Sequence, residues 1–167
     1  LAMNNIHFPN YSIIAGAAVV GEGAALAVIN PATETPLAHI NSISTQQFDQ
    51  AVAAAQTAFP LWRDLGDAKR SELLLQAAVV LEQHADEIAT LITLEQGKVL
   101  GLAQFEMQGT LAWLRYTAGL QIPVEILEDS DSKRIELHHE AIGVVGSITP
   151  WNWPVMIAMW HMVAALK

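Results

Sequence analysis

The chain has 167 residues, 52% of them hydrophobic, a composition that supplies one globular domain with a real core and is unlike that of a disordered segment. Eight Lys and Arg stand against seventeen Asp and Glu, and the formal charge of −9 repels phosphate backbones and anionic headgroups, which makes nucleic acid and acidic membranes poor partners. With no cysteine, these residues hold no disulfide, thiolate–zinc site or cysteine nucleophile of their own.

At the N-terminus, Leu1-Ala2-Met3 reads as a scar ahead of a start methionine, and no basic flank, apolar core and cleavage site of a secretory signal follow. Two short apolar runs, Ser12 to Val20 and Ala24 to Ile29, are separated by Gly21-Glu22-Gly23, which predicts a hairpin; Asn30-Pro31 ends the second run. Ser44-Thr45-Gln46-Gln47 has the form of a capping box. It opens a helix with Phe48, Val52, Ala55 and Phe59 on its apolar face, and Pro60 is the expected stop.

A second helix from Asp67 places Leu73, Leu74, Ala77, Val80 and Leu81 on one side. A third from Asp86 groups Ile88, Leu91, Ile92 and Glu95 before Gly97 closes it. A fourth runs from about Leu102 to Tyr116 with Gly119 as its cap, and short links make these three helices an antiparallel cluster.

The pattern then changes. Ile122 to Leu127 and Lys133 to Leu137 are strand-like about a turn at Asp129-Ser130-Asp131-Ser132, which predicts a β-hairpin. The apolar run Ile142 to Ile148 has the character of a buried parallel strand, and Pro154 stands in the first turn of a following helix. A strand, loop and helix begin a βαβ unit, and no second parallel strand follows to complete it. The apolar strand and helix need covering partners, so the chain reads as cut from something longer. The longest apolar stretch, Trp153 to Leu166, is shorter than the ~20 residues that span a bilayer and contains His161; a soluble, cytoplasmic protein is expected.

The most informative segment is Gly143-Val144-Val145-Gly146-Ser147-Ile148-Thr149-Pro150-Trp151-Asn152-Trp153-Pro154. Its strand end delivers backbone and an amide side chain to the carboxyl edge of a sheet, where dinucleotides bind in doubly wound folds. Asn152 can donate N–H hydrogen bonds there, or bond its own backbone in a turn. The segment resembles the signature of the NAD(P)-dependent aldehyde dehydrogenases, in which a first Rossmann-type strand runs into a Pro-Trp-Asn-aromatic-Pro turn. Three further stretches are similar to that family in the same order: Val28-Ile29-Asn30-Pro31-Ala32-Thr33-Glu34, Leu94-Glu95-Gln96-Gly97-Lys98 with Val99 replacing the usual proline, and Leu114-Arg115-Tyr116-Thr117-Ala118-Gly119.

The resemblance implies an α/β fold comprising the N-terminal part of the family's architecture. Residues 1–120 would give an N-terminal segment and helical cluster, 121–141 an oligomerisation β-hairpin, and 142–167 the first strand, turn and helix of a Rossmann-like cofactor-binding domain whose parallel sheet is incomplete. It also implies hydride transfer from an aldehyde to NAD or NADP, with Asn152 stabilising the oxyanion and Ile148, Thr149, Pro150 and Trp151 lying along the cofactor. Trp153, Met156, Ile157 and Trp160 would line the substrate tunnel, as for an apolar or aromatic aldehyde, although at this spacing they also suit a plain core. His161 stands where many relatives carry a proton-relaying Lys, and it equally suits a satisfied core histidine. In some relatives a monovalent cation is held by a carbonyl at the position of Ile29 and a carboxylate at that of Glu95; a solvated helix-end Glu is the alternative. The hairpin would cross to a neighbouring subunit in a homodimer or homotetramer.

The family's nucleophilic cysteine, its glutamate base and its ribose-binding lysine all lie further downstream, and Lys167 falls before the last of these. The chain alone is therefore expected to be inactive. Two other classes fit parts of the pattern: a relative that passes the acyl group to coenzyme A, and a non-catalytic helical interaction or scaffold module.

Overall fold

In the computed structural model, which describes residues 8–167, the N-terminal apolar runs fold into two hairpins and not one; Leu1-Ala2-Met3 lie outside the described residues. Strands β1 (Ser12–Ile14) and β2 (Ala17–Val19) pair antiparallel about Ala15 and Gly16. Both turn residues have positive φ, 53° and 79°, as a two-residue primed turn requires. Strands β3 (Ala25–Asn30) and β4 (Thr35–Asn41) form the second pair. Its loop is set by Asn30, whose Oδ1 accepts from the Ala32 amide at 2.9 Å.

Gly21-Glu22-Gly23, the expected hairpin turn, is instead a link laid against the end of β4. A Cβ on Gly21 would sit 2.3 Å from the Asn41 carbonyl oxygen, so these glycines permit close backbone approach and do not reverse the chain.

The capping box forms as expected: Ser44 Oγ accepts from the Gln47 amide at 3.2 Å, and Gln47 Oε1 accepts from the Ser44 amide at 2.9 Å. It opens α1 (Thr45–Asp64), which continues through Pro60. The last turn beyond the proline is held by Trp62, whose indole N–H donates to the Leu166 carbonyl at 2.8 Å, a tertiary bond that offsets the ladder bond lost at Pro60. Of the expected apolar face of α1, Ala55 and Phe59 are half-buried. Gln47 is buried while Phe48 and Val52 are exposed, because the Gln47 amide binds the preceding link: Oε1 accepts from Glu22 N–H at 3.0 Å, and Nε2 donates to the Val20 carbonyl at 2.9 Å.

Helices α2 (Asp67–Gln83), α3 (Ala85–Gln96) and α4 (Leu100–Gly119) make the expected cluster, with α4 at its centre. Leu74 and Ala78 of α2 pack with Leu114 and Ala118 of α4 and with Val163; Ala89 and Ile92 of α3 pack with Ala103 and Met107. The alanines let the helices approach closely, and the contact side of α2 is Leu74, Ala78 and Leu81, leaving Ala77 and Val80 exposed against expectation. Gly97 caps α3 in the left-handed conformation, φ 77°.

The second expected hairpin is present as β5 (Glu125–Asp129) and β6 (Arg134–Leu137), an exposed antiparallel pair with a register shift between Ile126 and Glu128. The expected buried strand at Ile142–Ile148 is not. No strand among the described residues pairs with it, and Ile142 and Ile148 are 91% and 94% exposed. A strand exists only through neighbouring backbone, and the sequence here supplies its apolar side chains without that neighbour. Helix α5 (Pro154–Leu166) then starts with Pro154 at its first position and packs along α4. The described residues thus form an α/β arrangement of five helices and three two-stranded antiparallel sheets. No helix among the described residues is long and apolar enough to cross a membrane.

Candidate functional site

The turn from Pro150 to Pro154 lies at the foot of α5, and three side chains from the α3–α4 region hold its backbone. Gln96, in the last turn of α3, donates its Nε2 hydrogen to the Trp151 carbonyl. Lys98, one residue past the Gly97 cap, donates to the Asn152 carbonyl at 2.6 Å. Its ammonium also lies 4.0 Å from the centre of the Trp153 ring. Glu106, on α4, has a fully buried side chain (0% exposed) beside that of Lys98 (10% exposed), with Oε2 2.5 Å from Lys98 Nζ.

The other oxygen of Glu106 accepts from the backbone N–H groups of Val155 and Met156, at 2.9 and 3.1 Å. The first N–H groups of a helix have no partner within it, and α5 has no side-chain cap from its own chain segment. Glu106 therefore caps α5 from across the interface, where its negative charge also complements the helix dipole. A buried charge is tolerable only when paired and hydrogen-bonded, and Glu106 meets both conditions.

Asn152 is exposed, with its backbone carbonyl tied to Lys98. Ile148, Thr149, Pro150 and Trp151 are exposed too, Trp151 at 81%, and form an open ledge next to it. Trp153, Met156 and Ile157 are half-buried and Trp160 is exposed. Three of them meet α4: Trp153 lies edge-on to Phe105 at 6.4 Å between ring centres, Met156 Sδ closes on Gly109, and Trp160 lies 5.7 Å from Trp113. They mark one seam between α4 and α5.

His161, weighed as a core histidine, is exposed, and its Nδ1 lies 2.7 Å from Ser147 Oγ. Ile29 and Glu95 are both exposed, on β3 and at the end of α3, elements that touch where Gly97 meets Pro31. Although Glu95 keeps contact with solvent, the protein packed around its carboxyl partly desolvates it and raises its pKa from the ordinary value. No group of three or more His, Cys, Asp or Glu side chains able to hold a metal occurs among the described residues.

Gln96, Lys98 and Glu106 escaped sequence reasoning as parts of the site. A signal for one of them was present: Glu106 is the only acidic residue of α4, set in an otherwise uncharged stretch of that helix.

The profile of the aldehyde dehydrogenase family matches residues 19–167. A probable aldehyde dehydrogenase from a Pseudomonas species is 39% identical over 148 residues, covering 89% of this chain and 30% of that protein. A mutant aldehyde dehydrogenase from Bacillus cereus superposes with a TM-score of 0.89 at 33% identity, over 96% of this chain and 34% of its own. An NAD-dependent benzaldehyde dehydrogenase from Corynebacterium glutamicum gives 0.87 at 26% identity, over 99% and 37%. The chain thus spans about a third of the length of the proteins it matches.

Proposed function

Because the chain belongs to the aldehyde dehydrogenase family, we propose that it supplies the N-terminal portion of an enzyme that oxidises an aldehyde to a carboxylic acid, with NAD or NADP accepting the hydride. The observation that carries this reading is the anchored turn. Asn152 has a fixed backbone and an exposed side chain, and a developing oxyanion is best stabilised by donors that need no reorganisation when charge appears.

The residues beside it suit one flank of a dinucleotide site. Ile148 and Trp151 present exposed apolar surface next to Asn152, and residues 142–150 form no backbone–backbone hydrogen bond among the described residues, leaving their main-chain N–H and C=O groups open to a ligand. When bound, the nicotinamide cofactor supplies the hydride acceptor. Ile148, Thr149, Pro150 and Trp151 contribute the ledge, and Asn152 contributes the donor. Trp153, Met156, Ile157 and Trp160, along the α4–α5 seam, give the wall for an apolar or aromatic aldehyde.

The nucleophile comes from outside these residues, since the chain has no cysteine, and by the family resemblance so does the glutamate base, which leaves residues 1–167 alone inactive. In the same scheme 1–120, 121–141 and 142–167 are the helical, arm and cofactor-binding portions. The exposed Ile126, Leu127 and Ile135 of the β5–β6 arm suit pairing with a second copy in a homodimer or homotetramer. A monovalent cation between the Ile29 carbonyl and the Glu95 carboxylate completes the proposal.

The test uses the protein as its gene encodes it, supplied with aliphatic and aromatic aldehydes and with NAD or NADP. Aldehyde-dependent formation of reduced cofactor is expected, and Asn152→Ala lowers kcat about 10²–10³-fold, the usual cost of one lost oxyanion donor. Wild-type protein inert with every pair, or an Asn152→Ala variant with unchanged kcat, refutes the assignment.

A further inference from the structure

We propose that Lys98 and Glu106, assisted by Gln96, are positioning residues that fix the direction of the Asn152 amide; this rests on the reading of Asn152 as an oxyanion donor. The turn is held at consecutive points: the Trp151 carbonyl by Gln96, the Asn152 carbonyl by Lys98, and the Val155 and Met156 N–H groups by Glu106. Lys98 additionally faces the Trp153 ring. The two peptide carbonyls that flank the Asn152 Cα are thus tied to the α3–α4 region, and Asn152 itself is left exposed.

Stability alone is a poor explanation for this arrangement. An apolar pair of similar volume often serves a core as well as a buried ion pair or better. An apolar pair cannot, however, present a donor to a carbonyl on one side and an acceptor to two N–H groups on the other. The ammonium and carboxylate do both while neutralising each other. The gain is placement, which matters at a reacting centre because a displacement of about 1 Å can cost 10²-fold in rate.

Lys98→Met alone would strand the Glu106 charge and risk misfolding, so the informative variant is the double substitution Lys98→Met with Glu106→Gln. It removes both charges, keeps an oxygen to cap α5, and deletes the donor to the Asn152 carbonyl. In the full protein it is expected to lower kcat about 10–100-fold, with cofactor affinity and KM within about twofold. Introduced into Asn152→Ala, the same pair is expected to cost less than about twofold, because a positioning role acts only through the amide. Equal losses in both backgrounds would reduce the pair to a structural element and overturn the proposal.

Hydrogen exchange of the 150–157 peptide supplies a readout free of turnover, with the α2 peptide as control. An increase of about tenfold or more in the former and none in the latter is expected; unchanged exchange overturns the proposal whatever the activity. Should the wild-type protein turn over no aldehyde, faster exchange supports the clamp and identifies the dehydrogenase assignment as the part that failed.

Discussion

Helix α4 buries eight of its twenty residues, among them a charged glutamate, whereas the run from Ile142 to Trp151, equally apolar in sequence, buries none. The difference lies in the backbone. A helix satisfies its own N–H and C=O groups and can then commit its side chains to neighbours on several sides, as α4 does with α2, α3 and α5. An extended run must borrow partners for its backbone before its side chains can be buried, and no described strand lends them to residues 142–148. Apolar composition is thus a capacity for burial that only a satisfied backbone converts into structure.

The largest expected effect comes from breaking the packed side at its charge. Glu106→Ala leaves the Lys98 ammonium buried without its partner and two α5 N–H groups unmet, and should cost about 3–5 kcal/mol in urea unfolding. A loss below about 1 kcal/mol would mean that water reaches the pair and that the contrast with the exposed run is overstated. Gly21→Ala, which drives a methyl onto the Asn41 and Ser42 carbonyls, should cost about 1–3 kcal/mol in the same assay.

Glu95 sharpens the comparison through pH. Its carboxyl is raised from an ordinary value of 4.5 by desolvation, so between the unfolded and folded pKa values the folded state holds more protons and stability falls as pH rises. Glu95→Gln removes that penalty. Its Tm should exceed the wild type by a small margin at neutral pH, and the margin should vanish below 4.5; a margin independent of pH would assign the effect to packing. The smallest change is expected from Ile148→Ser, within about 0.5 kcal/mol for this chain, because the side chain is already in water. A marked loss would show that something covers the 142–151 run in solution.

Signals that act over a few residues were legible in the sequence. The Ser44–Gln47 box, the Gly97 cap, the turn at Asp129–Ser132 and Pro154 at the start of α5 all depend on local backbone chemistry, and each appears in place. Signals whose meaning depends on distant chain were misread. Gly21 faces the end of β4, twenty residues on, and Pro60 is carried within a helix whose last turn is tied to Leu166. The turn around Asn152 was legible as a motif, but not its support. Lys98 and Glu106 reach it across about fifty residues of sequence, and nothing in the spacing of a lone Lys and a lone Glu says that they will meet.

Gln47 illustrates how narrowly a buried polar position can be specified. Its side-chain oxygen receives hydrogens from Glu22 and Ser44, while its nitrogen gives one to Val20. Glutamate, nearly the same shape, could still receive two but would turn a carboxylate oxygen on the Val20 carbonyl. Leucine would fill the space and leave all three main-chain groups unanswered. Asparagine keeps the amide but is a methylene too short to touch the same three. Glutamine answers the whole arrangement where glutamate, leucine and asparagine each leave part of it unmet, so an uncharged side chain outside the Pro150–Pro154 turn is closely specified by the backbone around it.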